Sequence, residues 1–371
     1  MRRASTLAVV LAAVIVTPLS ASAATSYHQA LSGRLRAQMH AVVRAGVPGV
    51  VVDVRRGESD IRLATGRADL MTRTPMRVRD RFKIGSVTKT FVATVVLQLV
   101  GEGRLSLHES VARWLPGLIP NGRHITIHEL LAHTSGLFDY LDDQRPFAPY
   151  LAGHFSYRWT PRRLVGIGVS HPPLFAPGSA FAYSNTGYLL LGLIVERATG
   201  QPLQTELSNR IFRPLGLGST RLPASQGFGF PRAHGYLITA DGRLDATPIS
   251  QSVFGAAGGI VSTGPDVAKF YRALLSGRLL PPRLLRMMTA TVPRTPGLEY
   301  GLGLAAVPTP CGTVYGHNGA VPGYYSLALN SRDGRNQAVV LVNSITEQET
   351  VGDARAQAAY NRLVGTAICS R

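Results

Sequence analysis

The chain has 371 residues, of which 45% are hydrophobic and 16% charged, so it can bury a large core and does not have the composition of a disordered protein. Only two cysteines are present, which excludes a disulfide-rich scaffold, an iron–sulfur protein and a zinc site built on four cysteines. The formal net charge is +18 and comes from 36 arginines and three lysines set against 21 acidic residues.

The first residues have the layout of a secretory signal peptide. Arg2-Arg3 is a positive segment, residues 7–16 are apolar, and the small residues Ala21-Ser22-Ala23 follow. This pattern predicts export and cleavage near Ala23. The apolar stretch is too short to span a bilayer, and no later segment reaches the roughly 20 apolar residues that a spanning helix needs. We therefore expect a secreted protein, on the cell-wall side, with no stable membrane span after cleavage.

The residues after the signal peptide predict a helix and then two strands. Apolar residues recur at helical spacing over residues 29–44. Residues 50–54 have the composition of a buried strand, and residues 61–64 that of its neighbour across a turn at Gly57. The next apolar segment, which begins at Ser86 and continues to Val100, predicts a long buried helix.

The rest of the chain contains a helical region followed by strands. Helical patterns interrupted by proline, glycine and turn residues continue to about residue 250, and two more helices follow, over 267–275 and after Pro282. The last elements are strands over 312–319, 324–330 and 337–342, of which the last two form a hairpin at Asp333-Gly334, and a closing helix over 351–363.

These elements predict an α/β (α+β) fold in which an antiparallel sheet is flanked by the terminal helices and interrupted by a large helical insertion. We expect a sheet domain formed by residues 24–85 and 251–371. Residues 86–250 should form a mostly helical domain, with the active-site cleft between the two.

The motif Ser86-Val87-Thr88-Lys89 has the residues of an activated nucleophile. A serine at the first turn of a helix lies at the positive end of the helix dipole and has a free backbone N–H. A lysine three residues later is on the same helical face, so its amine can reach the serine oxygen. A desolvated lysine can accept a proton, which arginine cannot do. The alternative is an ordinary N-cap serine followed by a surface lysine.

Two further short motifs occur once each. Tyr183-Ser184-Asn185 lies in a turn-rich stretch before an apolar helix, and His317-Asn318-Gly319 lies on a predicted strand at the edge of the sheet. Each motif alone is weak, but their order, separation and predicted contexts match one known arrangement.

On these motifs the chain resembles the serine β-lactamase and penicillin-binding protein family. It is most similar to the secreted D-alanyl-D-alanine carboxypeptidases related to class C β-lactamases, which place histidine where most members have the lysine of a Lys-Thr-Gly motif. The resemblance covers essentially the whole mature chain and includes four more segments: residues 130–137, 176–178, 300–304 and 311–325.

The resemblance implies the catalytic roles. Ser86 would be the nucleophile and Lys89 the base that takes its proton. Tyr183, as a phenolate or in hydrogen-bonded form, would relay protons to the leaving group and activate the deacylating water. His317 would support Tyr183 electrostatically and help to close the cleft. We expect Lys89 to be neutral because burial and neighbouring positive groups disfavour its charge.

The resemblance also implies the substrate-binding groups. Asn185 would hold the substrate amide, and the strand segment Asn318-Gly319-Ala320 would line the substrate. The backbone N–H groups of Ser86 and Ala320 would form the oxyanion hole. We expect no cofactor and no metal.

Three positions depart from the relatives that the chain most resembles. Those relatives have hydroxyl residues where this chain has Asn318 and Ala320, and an arginine where it has Ala305. In the relatives these groups grip the terminal carboxylate of the substrate, and losing them removes several kcal/mol of charge-assisted binding.

The predicted function is that of a D-alanyl-D-alanine carboxypeptidase, whose partner is a peptidoglycan stem peptide or a β-lactam. A β-lactamase and a carboxylesterase of the same fold are alternatives, as is a catalytically silent penicillin-binding sensor. We expect a monomer that binds no nucleic acid, because the arginines are scattered and their densest groups lack flanking aromatic residues. The same charge would attract the protein to an anionic cell wall or membrane face.

An oxidising compartment outside the cytoplasm favours pairing of the two cysteines, and we predict one structural disulfide between Cys311 and Cys369. Paired late cysteines also fit the subgroup that the chain resembles. The alternative is two unpaired buried thiols.

Two other clusters have simpler explanations. His128-Glu129 and His133 resemble part of a zinc-protease motif, but histidines five residues apart lie on different helical faces, so we expect a structural role. Asp139, Asp142 and Asp143 are interpreted as a solvated acidic loop rather than a cation site.

Overall fold

The computed structural model describes residues 21–223, 229, 231–295 and 297–370. Most of the predicted signal peptide therefore lies outside the described residues, and residues 21–23 begin the first helix. Within the described part of the chain, no helix combines the length and hydropathy needed to cross a bilayer.

An eight-stranded antiparallel sheet forms the centre of the molecule, as the sequence predicts. Its strand order is β2-β1-β12-β11-β10-β9-β8-β7, and a three-stranded sheet (β13-β4-β5) and a two-stranded one (β3-β6) accompany it. The strands are β1 Gly49–Arg56, β2 Ser59–Gly66, β3 Phe82–Lys83, β4 Tyr236–Thr239, β5 Gly242–Asp245, β6 Val261–Ser262, β7 Val292–Thr295, β8 Leu298–Tyr300, β9 Ala305–Thr309, β10 Gly312–Val321, β11 Tyr324–Asn330, β12 Asn336–Val342 and β13 Ser344–Thr346.

Twelve α-helices occur in the described residues, and several are single turns. They are α1 Ala21–Arg44, α2 Thr88–Gly101, α3 Val111–Trp114, α4 Ile127–Leu131, α5 Ala148–Leu151, α6 Pro161–Val169, α7 Asn185–Thr199, α8 Leu203–Leu207, α9 Gly255–Gly258, α10 Gly264–Leu275, α11 Pro282–Thr289 and α12 Ala354–Cys369. Short 3₁₀ turns precede α2 (Gly85–Val87), follow Asp139 (Tyr140–Asp142) and precede α9 (Gln251–Val253), and a π turn follows α8 (Ser208–Phe212).

The two terminal helices cover one face of the sheet. Val50, Val52 and Val54 of β1 point to this face because side chains alternate along a strand. They pack in one buried cluster with the apolar side of α1, at Leu31 and Leu35, and with α12. The arrangement is the one that the helical spacing of residues 29–44 predicts.

The other face of the sheet packs against the helical region. The helices α2 and α7 are buried on nearly all sides, which explains their continuous apolar sequences. Together with α10 and the sheet they form the larger hydrophobic cluster of the molecule. This packing brings α2 into contact with both β10 and α7.

Several short strands were not predicted. The strands β7, β8 and β9 extend the sheet beyond β10, and β4 and β5 lie within the region expected to be mostly helical. Each has only three to five residues, and the proline in β9, Pro308, is a residue that edge strands tolerate but that weakens a strand pattern. The division into two domains stays a prediction.

Candidate active site

Ser86 lies on a tight turn that is pressed against β10. It is the middle residue of the 3₁₀ turn Gly85–Val87, which continues directly into α2. Gly85 has a φ of 52°, and a Cβ at this position would lie 2.8 Å from the backbone nitrogen of Ala320. Only glycine combines this left-handed conformation with such a close approach. The turn therefore presents a half-buried Ser86 to the strand.

Lys89 is fully buried one helical turn later. Its Nζ atom lies 3.0 Å from Ser86 Oγ, 2.6 Å from Asn185 Oδ1 and 2.8 Å from the carbonyl oxygen of Ala257. Burial lowers the pKa of Lys89 from 10.5 to about 7, while the charges of Asp139 and Glu349 oppose the shift. The expectation that neighbouring positive groups lower this pKa is wrong, because both charged groups that act on the amine are carboxylates.

Tyr183 closes the cluster around Ser86. Its hydroxyl shares a hydrogen bond with Ser86, and burial raises its pKa well above 10. Its ring centroid is 4.6 Å from Lys89 Nζ, and the ring stacks on His133 at a centroid distance of 4.2 Å. Tyr183 is therefore a neutral phenol in this arrangement.

Asn185 is the first residue of α7 and links Lys89 to a buried carboxylate. Its Oδ1 accepts a hydrogen bond from Lys89, and its Nδ2 donates to Asp139 Oδ2 at 2.7 Å. The Asn185 backbone N–H also donates to Asp139 Oδ2, at 3.1 Å. In this arrangement the Asn185 amide orients Lys89, and one amide hydrogen and one lone pair remain for a substrate.

Asp139 is a site residue that the sequence analysis missed. It is only 7% exposed and accepts a hydrogen bond from Leu141 N as the cap of the turn that follows it. The interpretation of this segment as a solvated acidic loop is wrong for Asp139, because its carboxylate is satisfied inside the protein. Asp142 is exposed, as that interpretation expects, whereas Asp143 is mostly covered and pairs with Arg145 at 2.6 Å and with His171 at 2.8 Å. An aspartate before a turn is a sequence signal for a cap, but it does not indicate the contact of Asp139 with Asn185.

The C-terminal half of β10 lies beside the cluster of Ser86, Lys89 and Tyr183. Pairing with β9 ends at Gly316, while pairing with β11 continues to Val321, opposite Tyr324. Since the two-residue turn closes this hairpin at Val321, the alternation of an antiparallel pair directs the Ala320 N–H away from β11 and toward the open edge. A Cβ on Gly319 would lie 2.0 Å from the Ile84 carbonyl oxygen and 2.9 Å from Ser86 N.

His317 is buried on β10, with its ring centroid 6.3 Å from that of Tyr183. Its Nε2 is 2.9 Å from Tyr300 Oη, and its Nδ1 is 2.5 Å from the carbonyl oxygen of Asn318. Burial, and then the charge of Lys89, lower the pKa of His317 to about 3. The His317 ring is therefore neutral at ordinary pH. The expectation that His317 supports Tyr183 electrostatically is corrected, because a neutral ring has no net charge to offer.

The remaining predicted substrate-binding residue, Asn318, is exposed, and its Nδ2 donates to Tyr325 Oη at 3.4 Å. Ala305 is opposite Gly316 at the start of β9, so the position that lacks arginine is beside β10. The structure thus brings Ser86, Lys89, Tyr183 and His317 together, with Asn185, Gly319 and Ala320 around them.

Glu349 is a second residue that the sequence analysis missed. It is exposed in the loop after β13, and its charge acts on Lys89, Tyr183 and Tyr325. The loop is closed by hydrogen bonds between Thr346 and Thr350, at 2.7 Å from backbone N–H to carbonyl oxygen, and Glu349 itself has a left-handed φ of 59°. Nothing in the local sequence indicates this position.

The other predicted features have structural roles. Glu129 closes a capping box with Thr126 at the start of α4, and His133 is buried and hydrogen-bonded to Ser184 N. No group of three potential metal ligands occurs among the described residues.

Cys311 and Cys369 form a disulfide with a Cα–Cα distance of 5.3 Å.

Comparisons with known proteins match nearly the whole chain. The sequence profile of the family described as Beta-lactamase matches residues 31–362. A D-stereospecific amidohydrolase from Streptomyces sp. is 36% identical, with a TM-score of 0.81 over 92% of this chain and 98% of that one. The D-amino acid amidase of Ochrobactrum anthropi SV3 is 28% identical, with a TM-score of 0.82 over 91% and 98%. Penicillin-binding protein 4* of Bacillus subtilis is 26% identical over 326 residues, which are 81% of this chain and 69% of that protein.

Proposed function

The chain belongs to the β-lactamase family of serine hydrolases, and we propose that it hydrolyses amide bonds at the carbonyl of a D-amino acid residue through an acyl-enzyme on Ser86. The D-alanyl-D-alanine carboxypeptidase reaction expected from the sequence is one form of this chemistry. Release of a free D-amino acid from its amide is the other. Both use the same nucleophile and differ in the charges that flank the scissile bond.

The observation that carries this proposal is the hydrogen-bonded cluster of Ser86, Lys89 and Tyr183. A buried amine with a pKa of about 7 lies 3.0 Å from the serine oxygen, so near neutral pH a large fraction is in the form that accepts a proton. The amine takes the proton of Ser86 as Oγ attacks the substrate carbonyl. No other side chain in the cluster is both basic enough and within reach of Ser86 Oγ.

The later proton transfers balance through Tyr183. As the tetrahedral intermediate collapses, the phenol gives its proton to the leaving nitrogen and recovers one from the Lys89 ammonium. The oxyanion of the intermediate accepts hydrogen bonds from the backbone N–H groups of Ser86 and Ala320. Water then attacks the acyl-enzyme and passes a proton back through the same groups, which frees Ser86.

Covalent labelling tests this assignment. Incubation with benzylpenicillin and, separately, with a D-phenylalanine ester should add one acyl group, located on Ser86 by peptide mass spectrometry. Ser86→Ala should not label. Ser135→Ala should label normally, because the Ser135 hydroxyl instead accepts a bond from Leu137 N. Absence of any adduct on Ser86 with both reagents would refute the acyl-enzyme mechanism.

The charges of the cleft favour the second form of the reaction. Two carboxylates, Asp139 and Glu349, act on Lys89, and no guanidinium among the described residues contributes to the pKa shift of Lys89 or His317. A terminal carboxylate on the substrate would meet this negative potential without an arginine, since position 305 is alanine. A substrate with a free ammonium group would be attracted. We therefore propose amides of D-amino acids as preferred substrates, which also agrees with the names of two of the similar structures.

A substrate series separates the two forms. The values of kcat/KM should be compared for D-phenylalanine amide, its N-acetyl derivative, its L-enantiomer and diacetyl-L-lysyl-D-alanyl-D-alanine. We expect the free D-amide to be the best substrate by at least 10-fold. A preference for the tripeptide would instead assign the carboxypeptidase reaction to this cleft.

A further inference from the structure

The hydroxyl of Tyr300 lies between two buried imidazole rings. Tyr300 Oη is 3.3 Å from His133 Nε2 and 2.9 Å from His317 Nε2. The three side chains are only 1–3% exposed. Tyr300 belongs to β8, His317 to β10 and His133 to the turn after α4. The hydrogen bonds therefore join two strands of the sheet to a turn that is 167 residues from Tyr300 in sequence.

The outer ends of this chain of hydrogen bonds show where each hydrogen atom lies when Tyr300 is in place. His133 Nδ1 accepts the backbone N–H of Ser184 at 3.1 Å, so in neutral His133 the hydrogen is on Nε2. His317 Nδ1 lies 2.5 Å from the Asn318 carbonyl oxygen, which can only accept, so in His317 the hydrogen is on Nδ1. The two histidines are therefore in opposite tautomers.

Only one direction of hydrogen bonding satisfies both ends. His133 Nε2–H donates to Tyr300 Oη, and the Tyr300 hydroxyl donates to His317 Nε2. A phenylalanine could not do either. A proton added to His317 Nε2 would take away the acceptor of the Tyr300 hydroxyl, whose hydrogen would then have to turn to Tyr188, the other side chain that hydrogen-bonds with it. Protonation of His317 would therefore require the hydrogen bonds around Tyr300 to rearrange.

We propose that Tyr300 is a positioning residue that holds His133 and His317 in opposite tautomers. It thereby fixes the two sides of the catalytic cleft, which are β10 near Asn318 and the segment that contains Tyr183 and Ser184. One end anchors the Asn318 carbonyl, two residues before the Ala320 N–H. The other end anchors the Ser184 N–H, next to Tyr183, whose ring stacks on His133. The catalytic part of this inference rests on the proposed reaction at Ser86, whereas the hydrogen-bond chain itself does not.

The charged and titratable groups around His317 come from every neighbouring element. Lys89 faces it from α2, Tyr183 from the segment before α7 and Tyr300 from β8. His133, in the turn after α4, and Tyr188, on α7, contact Tyr300. Among the described residues Lys89 is the one whose charge contributes to the pKa shift of His317. Since that charge is largest below pH 7, it also opposes protonation of His317 in acid.

Nitrogen-15 NMR of the histidine rings tests the hydrogen bonds through Tyr300 in the wild-type protein. We expect His317 to show a protonated Nδ1 and a bare Nε2, and His133 the reverse, with both patterns unchanged between pH 8 and pH 5. A titration of His317 within this range, or the same tautomer in both rings, would overturn the inference. This measurement requires no variant and no activity.

Tyr300→Phe tests the positioning role. We expect kcat for the D-amide to fall at least 10-fold with KM changed less than threefold, and both histidines to lose their single tautomers. Tyr150→Phe is the matched control, because it removes another buried tyrosine hydroxyl that donates to a carbonyl, that of Tyr157. Loss of activity in Tyr300→Phe with both tautomers retained, or full activity, would refute the proposal. If the wild type forms no acyl-enzyme, the labelling experiment fails while the NMR result still stands.

Discussion

The position of a lysine, rather than its burial, distinguishes the proposed base, Lys89, from a structural lysine in this protein. Lys83 and Lys89 are both buried, and burial lowers the pKa of each to about 7. Lys83 Nζ donates to three backbone carbonyls, those of Ala246, Thr247 and Ile249, at 2.9–3.2 Å. Lys89 has instead the hydroxyl of Ser86 among its partners. A low pKa therefore becomes useful for catalysis only where the amine contacts a nucleophile.

Lys89→Arg should reduce acylation of Ser86 by at least about 10³-fold, because a guanidinium keeps its proton throughout the accessible pH range. Lys89→Met, which has similar bulk and no charge, should be equally inactive. In the wild type, kcat/KM should fall as the pH decreases through about 7, since the amine is then protonated. Rates of penicillin labelling at several pH values measure both effects.

The control for this experiment is Lys269→Arg, at an exposed position. It should acylate like the wild type. Circular dichroism of the Lys89 variants establishes that they remain folded. Near-normal acylation by folded Lys89→Arg would contradict the assignment of Lys89 as the base.

Glu349→Gln should selectively weaken substrates that have a free ammonium group. The change preserves the shape of the side chain and removes one exposed charge, which corresponds to a roughly three- to fivefold decrease in kcat/KM for D-phenylalanine amide. The N-acetyl amide, which is neutral, should be hydrolysed as before. Raising the salt concentration should reduce the difference between the two proteins.

Glu347→Gln provides the matched control, because Glu347 is also exposed and in the same loop. It should leave the ratio of the two substrates unchanged. Equal losses for the charged and the neutral substrate in Glu349→Gln would exclude recognition of the ammonium group by this carboxylate.

At the scale of elements, the cleft depends on the contact between the Ser86 turn and β10. The backbone of Gly319 is so close to this turn that a Cβ would lie 2.0 Å from the Ile84 carbonyl oxygen. Real Cβ atoms do not approach backbone oxygens this closely, so the strand must move if position 319 gains a side chain. The two N–H groups proposed for the oxyanion hole, those of Ser86 and Ala320, would then separate.

Gly319→Ala should therefore decrease the acylation rate by about 10²–10³-fold, the range expected when an oxyanion-hole donor is lost. Binding of the substrate, measured with Ser86→Ala as the background, should weaken much less. Gly365→Ala is the control, since a Cβ at this exposed position of α12 meets nothing within 4 Å. It should leave activity intact and slightly stabilise the helix. A fully active Gly319→Ala would show that the contact is not needed.

The sequence predicts those elements that have a clear period or a continuous apolar core. The helices α1, α2 and α10 and the strands β10, β11 and β12 are all found close to their predicted positions. The strands β7, β8 and β9 were missed because they are short, and their partners rather than their own residues make them strands. Local sequence patterns therefore predict the central strands of the sheet but not the three strands beyond β10.

The site was only partly predictable for a related reason. Ser86, Lys89, Tyr183 and His317 belong to recognisable motifs, but Asp139 acts on Lys89 through Asn185, a residue 46 positions away in sequence. Contacts of this kind depend on how α2, α7 and the turn after α4 pack together. Residue spacing and composition do not indicate how these elements pack. The contact of Asp139 with Asn185 and the hydrogen bonds of Tyr300 with two histidines are therefore visible only in the three-dimensional structure.

At the scale of the whole molecule, the disulfide ties the last helix to the sheet. Cys311 immediately precedes β10 and Cys369 ends α12. The bond closes a loop with a sequence separation of 58 residues. Arg56 reinforces the same junction by donating to the carbonyl oxygen of Ala367. The C-terminal helix, which covers one face of the sheet, is thereby fixed at its far end.

Removing this bond should destabilise the protein without disabling the cleft. The double variant Cys311→Ser, Cys369→Ser should lose up to about 4 kcal/mol of unfolding free energy, because the unfolded chain regains the entropy of an open loop. His317 lies six residues along β10 from Cys311, about 20 Å in an extended strand, so penicillin labelling of Ser86 should proceed at the wild-type rate. Urea unfolding gives the stability, and labelling under native conditions gives the activity. A folded double variant that no longer acylates would show that the disulfide shapes the cleft itself, and an unchanged unfolding midpoint would show that α12 is held by packing alone.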